Sequence, residues 1–283
     1  VARTVLVTGA TGNVGAELVR LLAQQGTAVR AASRHPPPEA PPPGVERVRF
    51  DFRDQATYED AFAGVDRLFL LRPPDVSNVR RDVRPVLLAA RRAGVQHVVF
   101  LSLLGAERNP FLPHRRIERL IERTGVPFTF LRASFFMQNL STTHREEIKE
   151  RGEIFVPAGR GRTSFIDARD VAAVAAVALG GGGHGDRAYP LTGAQALDYY
   201  QVARILTEEL GRPVFYRAPS ALRFVARALR RGTPLPFVVV MAAIYTTARL
   251  GLAATVTGDT AGILGRPPGT VRQFVRDYLP SWR

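Results

Sequence analysis

The chain has 283 residues, 46% of them hydrophobic, with 39 Lys or Arg against 25 Asp or Glu for a formal charge of +14. This length and apolar share suit one large α/β domain, alone or with a smaller lobe. The lack of cysteine excludes a disulfide framework, a thiolate metal site and a cysteine nucleophile.

The first segment, VARTVLVTGATGNVGAELVRLLAQQG, enters an apolar strand pattern at once. Nothing in it resembles a signal peptide, and a cytoplasmic location is the expectation. The strand ends at Thr8, then Gly9, Gly12 and Gly15 follow at three-residue spacing and a helix pattern begins. Glycines there allow a tight turn and a close backbone approach to a pyrophosphate, while the new helix offers free N–H groups to the anion. The arrangement predicts a dinucleotide-binding loop rather than a merely structural turn. The second strand, AVRAAS, ends in Ser33 and Arg34 with no acid near. An acid there would hold the 2′-hydroxyl of NAD, whereas a guanidinium suits the 2′-phosphate of NADP(H). NADP(H) is therefore the expected cofactor, with Arg34 as one more surface arginine the alternative.

HPPPEAPPPGV, from His35 to Val45, reads as an extended surface loop. Asp51 falls where the third strand ends; it faces the adenine edge or caps the helix that follows. The runs RLFLLRP, HVVFLS and FTFLRAS alternate with helix patterns such as DVRPVLLAARRAG, and Gly26, Gly94 and Gly125 stand between helix and strand, where helix-ending glycines belong. This alternation predicts an α/β fold with a Rossmann-type doubly wound parallel sheet. After Ala133 the pattern changes. SFFMQNLSTTHREEIKERG reads as helical, EIFVPAGRGRTSFID as two short strands around a glycine-rich turn, DARDVAAVAAVAL as a helix and DRAYPLTG as a strand. From Asp198 the chain reads as mostly helical, with a short strand at PVFYR. The expected division is 1–133 plus about 164–192 for the NADP-binding domain. The remaining 134–163 and 193–283 form a smaller, mostly helical substrate lobe.

Several features carry bland readings. Pro234–Val256 holds an apolar stretch of about a dozen residues, short of the roughly 20 a membrane span needs, and is expected as a buried or cavity-lining helix with no membrane partner. Gly180–Gly183 reads as a flexible loop. The arginines, among them Arg80, Arg81, Arg84, Arg91, Arg92, Arg227, Arg230 and Arg231, read as solvated helix faces, a functional basic surface being the alternative. No module that reads DNA is recognisable, so a nucleic-acid partner is not expected. Five scattered histidines show no metal spacing, and no Gly-x-Ser-x-Gly elbow occurs.

TGATGNVG, FDFRD, VVFLSLLGAE, HRRIERLIERTGVPFTFLRASFFMQNL, FIDARDVA and GRPPGTVRQFVRDYLPSW together resemble the NmrA-like group of atypical short-chain dehydrogenase/reductases over nearly the whole chain. That group includes NAD(P)H:quinone oxidoreductases, triphenylmethane dye reductases and redox-sensing regulators. The resemblance implies that Gly9, Thr11, Gly12, Asn13, Val14 and Gly15 cradle the phosphates and that Arg34 meets the 2′-phosphate. It implies that Leu71 and Arg72 flank the ribose side, that Ser102 and Leu103 lie near the nicotinamide ribose, and that Ala133, Ser134 and Phe135 border the nicotinamide. The wider short-chain family uses a Tyr-x-x-x-Lys pair, but here the equivalent helix reads Leu112-Pro113-His114-Arg115-Arg116-Ile117-Glu118-Arg119.

Without that pair, ordinary carbonyl reduction is in doubt. A quinone or dye is already a good hydride acceptor, for which positioning supplies much of the rate. His114 is the candidate catalytic group, a proton source near neutral pH, or else a histidine that packs at a helix start. Glu118 is expected as an ordinary surface acid, orientation of His114 being the alternative. Arg132 is expected to bind cofactor or tie the lobes together. Phe135 and Phe136 wall an aromatic substrate or pack in the core, with Gln138 beside them on the substrate side. The function expected is NADPH-dependent hydride transfer to a small quinone-like or other conjugated aromatic acceptor in the cleft between the lobes, by a monomer or homodimer. A non-catalytic NADP(H) sensor acting through a protein partner is the alternative.

Overall fold

A computed structural model describes residues 3–76 and 78–283. By contact density the chain divides into two units, 1–133 with 168–191 and 259–265, and 134–167 with 192–258 and 266–283. The segment Asp259–Gly265 thus joins the first unit, although its sequence continues a helical tail assigned to the second.

In the first unit the strands are β1 (Thr4–Thr8), β2 (Ala28–Ser33), β3 (Val45–Arg49), β4 (Arg67–Leu70), β5 (His97–Leu103), β6 (Phe128–Ala133) and, later in the chain, β8 (Arg187–Leu191). Among the described residues these seven form one sheet in the order β3-β2-β1-β4-β5-β6-β8. Every pairing is parallel, with Thr8 opposite Ala32, Val7 opposite Phe69 and Leu103 opposite Ala133. Strand order reverses between β1 and β4, so a crevice opens at their carboxyl ends, where doubly wound sheets bind ligands.

The crossover helices are α1 (Asn13–Gln24), α2 (Tyr58–Phe62), α3 (Arg84–Arg92) and α4 (Pro113–Glu122). Leu6, Leu68, Leu70, Val98, Phe100 and Phe130 pack with Phe62, Leu87 and Ile117 from α2, α3 and α4. The alternate residues Val5, Val7, Phe69 and Val99 are equally buried and face the other side, as the strand pleat requires. Strands covered on both faces are apolar along their centres, as residues 5–7, 68–70 and 98–100 are. Gly26, Gly94 and Gly125 adopt φ of 72°, 82° and 72°, the left-handed conformation that ends a helix cheaply only with glycine.

The second unit holds α5 (Gln138–Ser141), α6 (Arg145–Arg151), β7 (Glu153–Phe155), α8 (Tyr199–Leu210), β9 (Phe215–Arg217), α9 (Ala221–Arg230), α10 (Leu235–Arg249) and α12 (Val271–Asp277). The remaining helices, α7 (Ala168–Gly180) and α11 (Asp259–Leu264), belong to the first unit, where α7 packs on α1 and α11 packs on α7. Three readings change. The segment after Ala133 is two short helices, because residues 134–136 lie before the first of them and pair with Ile166, by Ile166 N to Phe135 O and Met137 N to Ile166 O at 2.9 Å each. Of the two strands expected in EIFVPAGRGRTSFID only β7 forms, parallel to β9; Thr163 and Ile166 make single bridges to Leu197 and Phe136. The third concerns α10. It buries Val238, Tyr245 and Ala248 but exposes Leu235, Phe237, Val239, Val240 and Ile244, so it is a surface helix held by one narrow stripe. Among the described residues no helix is long and apolar enough to cross a membrane.

Candidate functional site

The glycine loop lies at the carboxyl end of β1. Gly9 has φ of +66°, and a Cβ on it would stand 2.8 Å from Leu71 Cδ2. A Cβ on Gly15 would stand 2.1 Å from the Gly9 carbonyl oxygen, so only glycine lets the first turn of α1 close on the loop. Gly12 caps α1 without a side-chain bond, and no acid occupies the first turn. The helix therefore begins with uncapped N–H groups at its positive end. Thr11, Gly12 and Asn13 are exposed, while Val14 is buried beneath them. The Thr8 hydroxyl ties the loop to the neighbouring strand, accepting from Leu71 N at 2.8 Å. These residues fit a dinucleotide pyrophosphate: they leave backbone donors open and keep side chains out of its path.

At the ends of β2 and β3 two guanidinium groups meet one carboxylate. Arg34 Nη1 is 3.4 Å and Arg53 Nη1 3.6 Å from Asp75 Oδ2. Arg53 also donates to the Asp75 carbonyl at 2.5 Å. Arg53 escaped sequence reading because one arginine among so many carries no signal; its place directly after FDF was the available clue. Ser33 is half-buried at the end of β2, where its carbonyl accepts from Phe50 N. The Asp51 carboxylate accepts from Arg53 N at 2.9 Å and so shapes this turn, while Asp54 caps the next helical turn through Ala56 N.

Beyond β4, Arg72 folds into its own loop. Its Nη1 donates to the carbonyls of Pro73 (3.0 Å), Pro74 (3.2 Å) and Val76 (2.7 Å). Its Nε is buried with no hydrogen-bond partner among the described residues. Arg72 thus fixes the loop beside Leu71. It also contributes positive charge to His114.

His114 stands in the first turn of α4, its ring stacked over Phe100 with centroids 6.2 Å apart. Burial, reinforced by the Arg72 charge and only partly opposed by Glu118, pushes its pKa down to about 4. At neutral pH the ring is uncharged, with on the order of one molecule in a thousand protonated. The expected store of protons near neutrality is therefore absent; a neutral imidazole can still orient an acceptor through one N–H or one lone pair.

Glu118, expected on the surface, is fully buried. Its carboxylate accepts from Ser102 Oγ at 2.7 Å, from Arg132 Nε and Nη2 at 3.0 Å each, and from Arg115 Nη1 at 3.0 Å. Burial alone would raise its pKa, but the hydrogen bonds from Arg132 and Ser102, with the arginine charges, hold it below the ordinary carboxylate range. Arg132 also pairs with Glu107 at 3.3 Å. The hub joins β5, β6 and α4. It consumes the Ser102 proton, leaving that oxygen as an acceptor beside Leu103, whose strand partner is Ala133.

In the second unit, Ser134 is buried with its Oγ 3.0 Å from Ser164 Oγ. Phe135 is half-buried against that unit's core, and Phe136 is half-buried and bridges to Ile166. Gln138 is buried, and its amide donates to Asp167 Oδ1 at 2.8 Å. Among the described residues no three His, Asp or Glu side chains gather as a metal site.

The NmrA-like family model matches residues 2–249. The NAD(P)H azoreductase of Xenophilus azovorans is 35% identical over 286 aligned residues, covering 98% of this chain and 99% of that protein. The crystal structure of Citrobacter sp. triphenylmethane reductase complexed with NADP(H) has a TM-score of 0.86 and 27% identity, over 98% of this chain and 100% of that one. The NADPH-dependent quinone oxidoreductase of Escherichia coli complexed with NADPH has a TM-score of 0.85 and 25% identity, over 98% of this chain and 99% of that one. With its glycine cradle at the strand-order reversal and these matches along nearly its whole length, the chain belongs to the NmrA-like family.

Proposed function

We propose that this protein, an NAD(P)H-dependent oxidoreductase, reduces a quinone-like or other conjugated aromatic acceptor with NADPH. The observation that carries the reading is the cradle at the β1–β4 reversal flanked by Arg34 and Arg53, together with a helix α4 that holds His114 and Glu118 and has neither tyrosine nor lysine. The relatives named for azo-dye, triphenylmethane and quinone reduction support the same acceptor class.

When bound, NADPH supplies the hydride. The glycine loop would hold the pyrophosphate through backbone N–H groups, and Arg34 with Arg53 would hold the 2′-phosphate with the guanidinium groups that now pair with Asp75. Ser102, its proton committed to Glu118, accepts from a ribose hydroxyl. Neutral His114 orients the acceptor by a hydrogen bond, and the proton that completes reduction comes from solvent. An acceptor already electrophilic needs no strong acid, so orientation carries the rate.

The test is a titration of the purified protein with NADPH and NADH, then NADPH oxidation against benzoquinones, naphthoquinones, azo dyes and triphenylmethane dyes. Tighter binding of NADPH by at least tenfold, with turnover of one acceptor class, is expected. Tight binding with no oxidation by any of them overturns the reductase reading in favour of a redox sensor.

A further inference from the structure

Helices α3 and α4 pack side by side in the first unit, and a groove of about 1040 Å³ runs along them. Six arginines line it: Arg80, Arg84, Arg91, Arg116, Arg119 and Arg123. All six are exposed, and among the described residues no acidic side chain lines the groove. Among the described residues none of the six is ion-paired, whereas Arg115, Arg132, Arg227, Arg231, Arg272 and Arg276 all meet carboxylates. On α4 the spacing is three and four residues, so Arg116, Arg119 and Arg123 form one row of like charges that destabilises an isolated helix. On α3, Arg84 and Arg91 lie seven residues apart on one face. Between the rows run Leu88, which is exposed, and Leu120, which is half-buried; Leu87 beneath them belongs to the core. The groove shares no residue with the cofactor cradle.

We propose that this groove seats an acidic amphipathic helix of a partner protein. Its apolar stripe lies along the leucine seam and its carboxylates meet the two arginine rows. The geometry is that of a helix laid into a two-helix groove, where apolar anchors give affinity and flanking charge gives orientation and on-rate. Other occupants fit less well. A second copy of the chain brings the same six cations and a net charge of +14. A small anion fills little of a groove of about 1040 Å³ and leaves Leu88 and Leu120 without a partner. Single-stranded nucleic acid stacks its bases on aromatic rings, and none lines this groove. A phosphate backbone also leaves the leucine seam facing water.

The probe is a fluorescein-labelled synthetic peptide of roughly three heptads, with leucine at a and d and glutamate at most other positions. Binding to the full-length chain is followed by anisotropy at physiological salt. The amphipathic peptide is expected to bind at least tenfold more tightly than a peptide of identical composition whose leucines are scrambled. Arg84→Glu with Arg119→Glu is expected to weaken it at least tenfold, and the neutral pair Arg84→Gln with Arg119→Gln less. Leu88→Gln with Leu120→Gln is expected to weaken it severalfold without changing its salt dependence. NADPH affinity and far-UV circular dichroism, unchanged in these variants, report an intact fold. No binding, equal binding of the scrambled peptide, or insensitivity to the arginine variants overturns the proposal. Tighter binding of a duplex DNA of similar charge overturns it in favour of a nucleic-acid surface.

Discussion

At the scale of single residues, the proposed site for the 2′-phosphate is the corner formed by Arg34 and Arg53. Each guanidinium is near half-exposed and shared with Asp75, so neither holds the chain together. Arg34→Ala and Arg53→Ala should each raise the dissociation constant for NADPH about tenfold, as charge-assisted bonds to a phosphate are lost, and leave that for NADH unchanged. Fluorescence titration with both nucleotides checks this; equal loss for NADH would move the two arginines out of the 2′-phosphate site. Glu118 behaves differently. Removing one partner from a buried network strands the others, so Glu118→Ala should cost about 3–5 kcal/mol of stability. Glu118→Gln keeps the shape but forfeits the charge that Arg132 and Arg115 require, and should cost less. Denaturant unfolding of both variants measures the difference, and an unperturbed midpoint in Glu118→Ala would mean that the hub contributes nothing. His114 was legible as a polar residue at a helix start, but its uncharged state was not, because that depends on burial and on Arg72, forty-two positions earlier in the chain.

At the scale of elements, the alternation of apolar runs and helix patterns marked β1 to β6 and their crossover helices well, because each carries its own periodicity and its own terminal glycine. Patterns failed where an element's state depends on a distant partner. Ser134–Met137 is apolar enough for a helix, yet Ile166 recruits its backbone. The run 180–183 reads as a loop and forms one as α7 ends, with Arg67 donating to the carbonyls of Leu179 and, at 3.1 Å, Gly181. The glycine-rich turn after β7 forms as the sequence suggests, but its fit depends on a distant helix. Gly161 passes so close to the end of α10 that a Cβ would stand 1.9 Å from the Ala248 carbonyl oxygen. Gly161→Ala should therefore displace the end of α10 and destabilise the second unit by about 1–3 kcal/mol. Hydrogen exchange of α10 amides reads this directly; protection equal to the parent protein would show that the helix yields without cost.

At the scale of the whole molecule, acid sensitivity follows from buried imidazoles. His97 and His144 are each less than a tenth exposed, and burial pushes both to about 4. His144 Nε2 lies 2.6 Å from Tyr245 Oη. Thr129 gives its hydroxyl proton to the His184 carbonyl at 2.6 Å, so His97 must donate to Thr129 and carries its proton on Nε2. Below pH 6.5 the unfolded chain takes up protons that these folded imidazoles refuse until about pH 4. Stability should fall across that window, by roughly 3 kcal/mol per histidine at its lower end. Glu118, held below the ordinary range, adds its own loss only at lower pH. Urea unfolding between pH 7.5 and 4 tests the slope; a flat profile above pH 5 would show that the histidines are hydrated in the folded protein.

The sequence by itself determined the parallel sheet, the glycine cradle, the preference for a guanidinium over an acid after β2, and the family. The first three are written in local spacing, where backbone conformation and residue chemistry decide the outcome within a dozen residues; the family is carried by the resemblance of six stretches along the chain. Only the tertiary structure decided that Arg53 joins Arg34, that Glu118 is a buried hub, that His114 is uncharged, and that six arginines face one another across a groove. Those properties arise from side chains far apart in the chain, and from how much water their packing leaves around each charge.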